Sequence, residues 1–186
     1  FMALSFSLPN YTSILVKGVD SEQLLQGQVS CDLSLNKGYF DGLFCDEKGY
    51  VITNAVIIKE DFFTIIVKKS VSKSLIKELE KFAKFYDCNI SEDDQNIYGI
   101  QEKNIFKKYV GENRSELTSS DWDIETMKNF CFDIEEQSSN KFRANELGYK
   151  FDDYISYDKG CYRGQEIIAR LTYLGKKVKK SVVFES

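Results

Sequence analysis

The stretch "GYFDGLFCDEKGYVITNAVIIKEDFFTIIVKK", residues 38–69, decides the fold class. It consists of three runs rich in Val, Ile and Phe, separated by "DEKG" at 46–49 and "KED" at 59–61. Turn-forming residues between such runs predict an antiparallel meander. Working outward, "YTSILVKGVD" (11–20) reads as another strand, and "DSEQLLQGQVSCDL" (20–33) as a short helix capped by Asp20 or Ser21, with Leu24, Leu25 and Val29 on its apolar face. After the meander, Val71, Leu75, Leu79, Phe82 and Tyr86 recur at steps of four and three, which predicts a helix over 70–86 capped by Ser70. Strands at 88–91 and 96–100 follow. The order of elements suits an α+β domain better than alternating parallel units.

The second half is less regular. "EKNIFKKYV" (102–110) and "DIETMKNFCFDI" (123–134) both read as helices, the latter with an option of a strand around "FCFDI". Residues 136–158 read as a loop that wraps the domain, "GCYRGQEIIARL" (160–171) as a helix, and "KVKKSVVFES" (177–186) as a closing strand. The expected organisation is a single domain over 1–186, with a first α+β half at 3–100 and a shorter second half at 101–186. Phe1 ahead of Met2 reads as a remnant before the natural start, and "FMALSFSL" has neither the basic beginning nor the cleavage site of a secretory signal. No apolar run approaches the length of about 18 residues that a membrane span requires. The expected location is the cytoplasm.

The chain has no histidine. That removes the usual general base, excludes Ser/His/Asp and Cys/His arrangements, and weakens hydrolase and metalloenzyme readings, so no metal site is expected. Five scattered cysteines without a CxxC spacing argue against a disulfide framework. The net charge of −4 gives no general attraction to nucleic acid. Locally, Lys159, Arg163, Arg170, Lys176, Lys177, Lys179 and Lys180 make the C-terminal segment basic, which reads either as a solvated surface or as an anion site.

Within that segment stands "DKGCYRGQEIIAR" (158–170). Cys161 at a helix start, between Lys159 and Arg163, has the surroundings of an activated thiol. It equally fits a small side chain packed in a glycine-flanked turn, and spacing alone puts that reading slightly ahead. Glu166 in the first turn suits the helix dipole as well as a ligand contact.

"KGCYRGQEIIAR" (159–170) closely resembles the "KGCYxGQE" signature of the folate-binding YgfZ family, relatives of the aminomethyltransferase of the glycine cleavage system. "VKGVDSEQLLQGQVSCDL" (16–33) and "CDEKGYVITN" (45–54) resemble two further blocks of that family in the same order, and "FDIEE" (132–136) resembles its "IEAG". The resemblance implies an antiparallel-sheet folate-binding domain of the aminomethyltransferase type, here without the C-terminal β-barrel. It implies a tetrahydrofolate-binding accessory protein that supports iron–sulfur enzymes and tRNA modification, with iron–sulfur or tRNA-modifying enzymes, and tRNA, as partners. By position, Cys161 is the signature thiol and the candidate catalytic residue. Lys159, Tyr162, Gly164, Gln165 and Glu166 form the motif around it. Tyr11, Asn54 and Glu135 fall at the folate end, where the Glu135 carboxylate could accept the paired N–H groups of the pterin edge. Thr53 and Asn54 stand where aminomethyltransferases carry two aspartates, so glycine-cleavage activity is not expected. Two other readings stay open: a scaffold that has lost folate and docks a partner protein or tRNA through its basic C-terminal segment, and a folate-dependent one-carbon or redox enzyme.

Overall fold

The computed structural model describes residues 2–173. The meander folds as expected: β3 (Tyr39–Cys45), β4 (Val51–Lys59) and β5 (Phe63–Lys68) pair antiparallel in sequence order. β2 (Tyr11–Lys17) adds to β5, and β6 (Asn89–Asp93) adds to β2, giving a five-stranded sheet in the order β3-β4-β5-β2-β6. A second antiparallel sheet has the order β1-β7-β8, from Leu4–Ser7, Ile97–Glu102 and Ile105–Val110. The four residues of β1 are too few for a period to be read in the sequence.

The five-stranded sheet is covered on both faces, which explains why β4 is buried continuously from Val51 to Ile57 rather than at alternate positions. On one face lie α1 (Ser21–Gln26) and α2 (Lys69–Ala83), whose Leu24, Leu25, Val71, Leu75 and Leu79 join the larger apolar core. Each such side chain contributes about 1.5–3 kcal/mol when fully buried. The opposite face meets the three-stranded sheet and α3 (Ser119–Lys128) through a smaller core of Phe6, Leu8, Tyr11, Val56, Ile66, Ile97 and Trp122.

Several expectations are corrected. "EKNIFKKYV" forms β8, joined to β7 by a two-residue turn at Lys103 and Asn104, with Lys103 at φ 56°. Its exposed Ile105 and Lys107 alternate with more buried Phe106 and Lys108, a period of two hidden in a six-residue run, and as a strand it pairs the free side of β7. "FCFDI" is an irregular run rather than a strand. The expected loop at 136–158 contains a 3-10 turn at Ala144–Glu146 and a single helical turn, α4 (Phe151–Tyr154). Helix α5 begins only at Gln165 and is described to Tyr173. Ser70 does not cap α2, which starts at Lys69. The closing strand and Lys176, Lys177, Lys179 and Lys180 fall outside the described residues, among which no β-barrel forms. No helix among these residues is long and apolar enough to cross a membrane.

Candidate functional site

Local geometry explains most of the 159–170 signature. The Lys159 ammonium is buried and donates to the carbonyl oxygens of Gln26 (2.8 Å), Val29 (2.7 Å) and Cys31 (2.8 Å). Three N–H donors meet three acceptors, one at the end of α1, where a helix leaves carbonyls without partners, and two in the loop that follows. Burial pushes the Lys159 pKa down to about 8, against the nearby Cys31 and Asp32. The Arg163 backbone N–H donates to the Gly27 carbonyl at 3.0 Å. Its guanidinium bridges Glu78 on α2 (2.9 Å) and Glu47 in the β3–β4 turn (2.8 Å) and lies 5.3 Å from the Phe82 ring centroid. Gly164 sits at φ +83°, and a Cβ there would fall 2.7 Å from the Asp46 carbonyl oxygen, so only glycine fits. Across the same contact Gly49, at φ +76°, makes room for Ile167. Tyr162 is buried in the larger core, and the Gln165 side-chain oxygen accepts from its backbone N–H at 3.4 Å.

Three sequence blocks far apart in the chain, 16–33, 45–54 and 159–170, therefore meet at one place. Cys161 is exposed there, and it is the one exposed cysteine of the five. Burial pushes the thiols of Cys31, Cys45 and Cys131 up to about 12 and raises that of Cys88. The surroundings of Cys161 differ from those read in the sequence. Cys161 lies four residues ahead of α5 rather than in its first turn, Lys159 is directed at backbone carbonyls, and Arg163 is bound by two carboxylates. Glu166 is exposed and pairs with Arg170 at 2.6 Å along the helix surface.

The folate-end residues gather on the opposite face of the five-stranded sheet, around a carboxylate that the sequence did not single out. Asp133 is buried and accepts from Tyr11 Oη (2.6 Å), Asn54 Nδ2 (2.9 Å), Trp122 Nε1 (3.5 Å) and the Lys108 ammonium. Burial alone would raise its pKa, but the charge and hydrogen bond of Lys108 and the Tyr11 hydroxyl hold it below the usual carboxylate value. Asn54 also accepts from the Ile134 N–H at 3.0 Å, which fixes the amide orientation. Tyr11 is pushed up by burial and by the Asp133 charge, and the Lys68 and Lys108 ammonium groups lie 5.5 and 5.3 Å from its ring centroid.

Glu135 is at the edge of this cluster, one third exposed. Its Oε1 accepts from Lys68 at 2.6 Å and its Oε2 from Ser70 at 2.7 Å. Burial would raise its pKa, but these two hydrogen bonds and the Lys68 charge hold it lower. Lys68 is almost fully buried and also reaches Asp123 at 2.8 Å. Burial opposes its charge, but the two carboxylates outweigh that and raise its pKa. The structure thus groups Tyr11, Asn54 and Glu135 around Asp133 and places Cys161 with the signature residues elsewhere. Buried Tyr162 and Ile134 belong to the one apolar core that lies between the two groups. No signal of spacing marks Asp133, because its partners come from β2, β4, β8 and α3.

Comparison with protein-family models gives no match. Individual relatives do match. The chain is 28% identical over 210 aligned positions to an uncharacterized protein of Haemophilus influenzae, covering 99% of this chain and 74% of that one. It is 26% identical over 220 positions to the tRNA-modifying protein YgfZ of Escherichia coli O7:K1, covering 91% and 68% of the two chains. It is 29% identical over 217 positions to the protein of the same name from Buchnera aphidicola, covering 89% and 68%. Among solved structures, the glycine cleavage system aminomethyltransferase T of Bartonella henselae superposes at a TM-score of 0.49 with 18% identity, over 53% of this chain and 28% of that one.

Proposed function

We propose that this homologue of the tRNA-modifying YgfZ proteins is a tetrahydrofolate-binding accessory protein that supports iron–sulfur and tRNA-modifying enzymes and presents Cys161 as its working thiol. One observation carries the reading: three separate sequence blocks are locked together by Lys159, Arg163 and Gly164, and the segment they hold leaves Cys161 facing solvent. Rigid support behind an accessible side chain is what a reactive or docking group requires. The buried cysteines, with their raised thiols, are poor candidates for the same role.

The residues at the folate end fit the cofactor in part. Each Glu135 oxygen spends one lone pair within the protein and keeps another, so the carboxylate can accept the paired N–H groups of a pterin edge. The lowered pKa keeps it ionised for that task at neutral pH. Tyr11 and Asn54 are committed to Asp133 and stand behind Glu135 as support rather than as direct contacts. Bound tetrahydrofolate would supply a carrier of one-carbon units, while the chain holds the pterin edge and displays a thiol.

Titration of the full chain with tetrahydrofolate, followed by isothermal calorimetry, tests the cofactor half, and absence of heat at high micromolar protein overturns it. For the thiol half, cells lacking their own relative are complemented with wild type or Cys161→Ser, and tRNA modification is measured by mass spectrometry. Equal recovery by both proteins overturns the role of the thiol. One observation favours the scaffold reading: Asp133 spends its oxygens on Tyr11, Asn54 and Lys108 within the protein. Partner binding without folate heat selects that reading.

A further inference from the structure

The face of the five-stranded sheet that carries Tyr11 at one end carries Leu15 and Ile58 at the other, where they floor a groove of about 420 Å³ between the two sheets. That volume lies within the range of about 300–1,000 Å³ usual for small-ligand sites. Aromatic rings form its walls. Tyr98 and Tyr109 stack across the β7–β8 pair with centroids 5.6 Å apart and planes 30° apart, and Tyr39 lies 5.8 Å from Tyr109. Phe62 lines the groove beneath the Lys17 ammonium, 4.5 Å from its ring centroid, and the Lys107 ammonium lies 5.3 Å from that of Tyr39. All four rings are partly exposed, both lysines are exposed, and Glu60 is the one carboxylate among the described lining residues.

Rings left partly in water at the end of a core bury less apolar area than they could, which is a poor use of four large side chains for packing alone. An array of partly exposed aromatic rings bordered by lysines is, in contrast, the arrangement that takes unpaired bases by stacking while its cations meet the backbone phosphates. A base inside a duplex offers no free face to such a groove. We propose that the Tyr39/Tyr98/Tyr109 groove is a stacking site for an unpaired base of single-stranded RNA, with Lys17 and Lys107 contacting the adjoining phosphates. The choice of RNA as ligand rests on the proposed role in tRNA modification. The lining of the groove includes neither Cys161 nor Glu135, so loss of RNA binding here is distinguishable from loss of folate binding or of the thiol's role.

The test is fluorescence anisotropy with the full chain and a labelled single-stranded octaribonucleotide, free or annealed to its complement. The expected result is tighter binding of the single strand, weakened about tenfold by Tyr109→Leu, which keeps apolar volume and removes the ring. Lys17→Gln should lower the slope of log affinity against log salt by about one. Equal affinity for the duplex, or full affinity in Tyr109→Leu, overturns the proposal. Displacement of the RNA by tetrahydrofolate also overturns it, since the groove would then be a pterin site. If Tyr109→Leu fails to fold, photo-crosslinking of wild type with a 4-thiouridine RNA decides. Crosslinks at Tyr39, Tyr98 or Tyr109 support the site, and crosslinks confined to other residues overturn it.

Discussion

Asp133 and Glu135 stand two positions apart in one irregular run, and their surroundings give them different work. Asp133 is enclosed with Lys108 as its counter-ion. Asp133→Ala leaves that ammonium buried without a partner, and we expect a loss of about 3–5 kcal/mol in urea unfolding at pH 7. Glu135 is partly solvated, so Glu135→Gln should cost under about 1 kcal/mol while weakening tetrahydrofolate binding measured by calorimetry. The reverse ranking of stabilities would show that the two carboxylates have been assigned the wrong way round.

Asp41 supplies a pH dependence of the opposite sign from its ionised neighbour. Burial pushes its pKa up to about 6, opposed by the Lys108 charge and reinforced by those of Asp133 and Asp153. Its folded pKa lies above its ordinary value of 3.8, so the folded state holds this proton more tightly than the unfolded chain does. Stability from this group therefore falls as pH rises through the window from about 4 to 6. Asp41→Asn should raise the melting temperature at pH 7, by an amount worth at most about 3 kcal/mol, and should give little gain at pH 4. An equal gain at both pH values would mean that the ionisation of Asp41 is not the cause.

At the scale of elements, the loop after α1 depends on a side chain about 130 residues away in sequence. Lys159 satisfies the Gln26 carbonyl at the end of a six-residue helix and those of Val29 and Cys31 in the loop beyond it. Lys159→Met keeps most of the buried stem but leaves three acceptors without a donor, and each such group costs about 1–3 kcal/mol. We expect a loss of several kcal/mol in denaturant unfolding, together with faster labelling of Cys31, whose carbonyl is one of the three. Unchanged protection of Cys31 would separate this lysine from the order of the loop. Strand β8 likewise depends on a pairing partner. Its six residues carry too little periodicity to distinguish strand from helix, and pairing with β7 decides the matter.

Over the whole molecule, two apolar cores share one sheet, and β4 contributes to both. Such sharing predicts a single cooperative transition. The lone Trp122 reports on the smaller core, and Cys31 and Cys45 report on the larger. Tryptophan fluorescence and thiol accessibility should therefore give coincident urea curves, whereas separated midpoints would mean that the cores unfold independently.

The meander, the long amphipathic helix, the α+β class and the segment that carries Cys161 are legible in the chain alone. These features are written in local periodicity and turn chemistry, or in a motif unbroken along the chain. Tertiary structure alone decided that Asp133 rather than Glu135 is the enclosed carboxylate, that Lys159 and Arg163 are spent on holding loops together, and that tyrosines from β3, β7 and β8 share one groove. The physical reason is the same in each case. Burial and partnership belong to groups brought together from distant strands, and no period in the chain encodes which distant group will meet which.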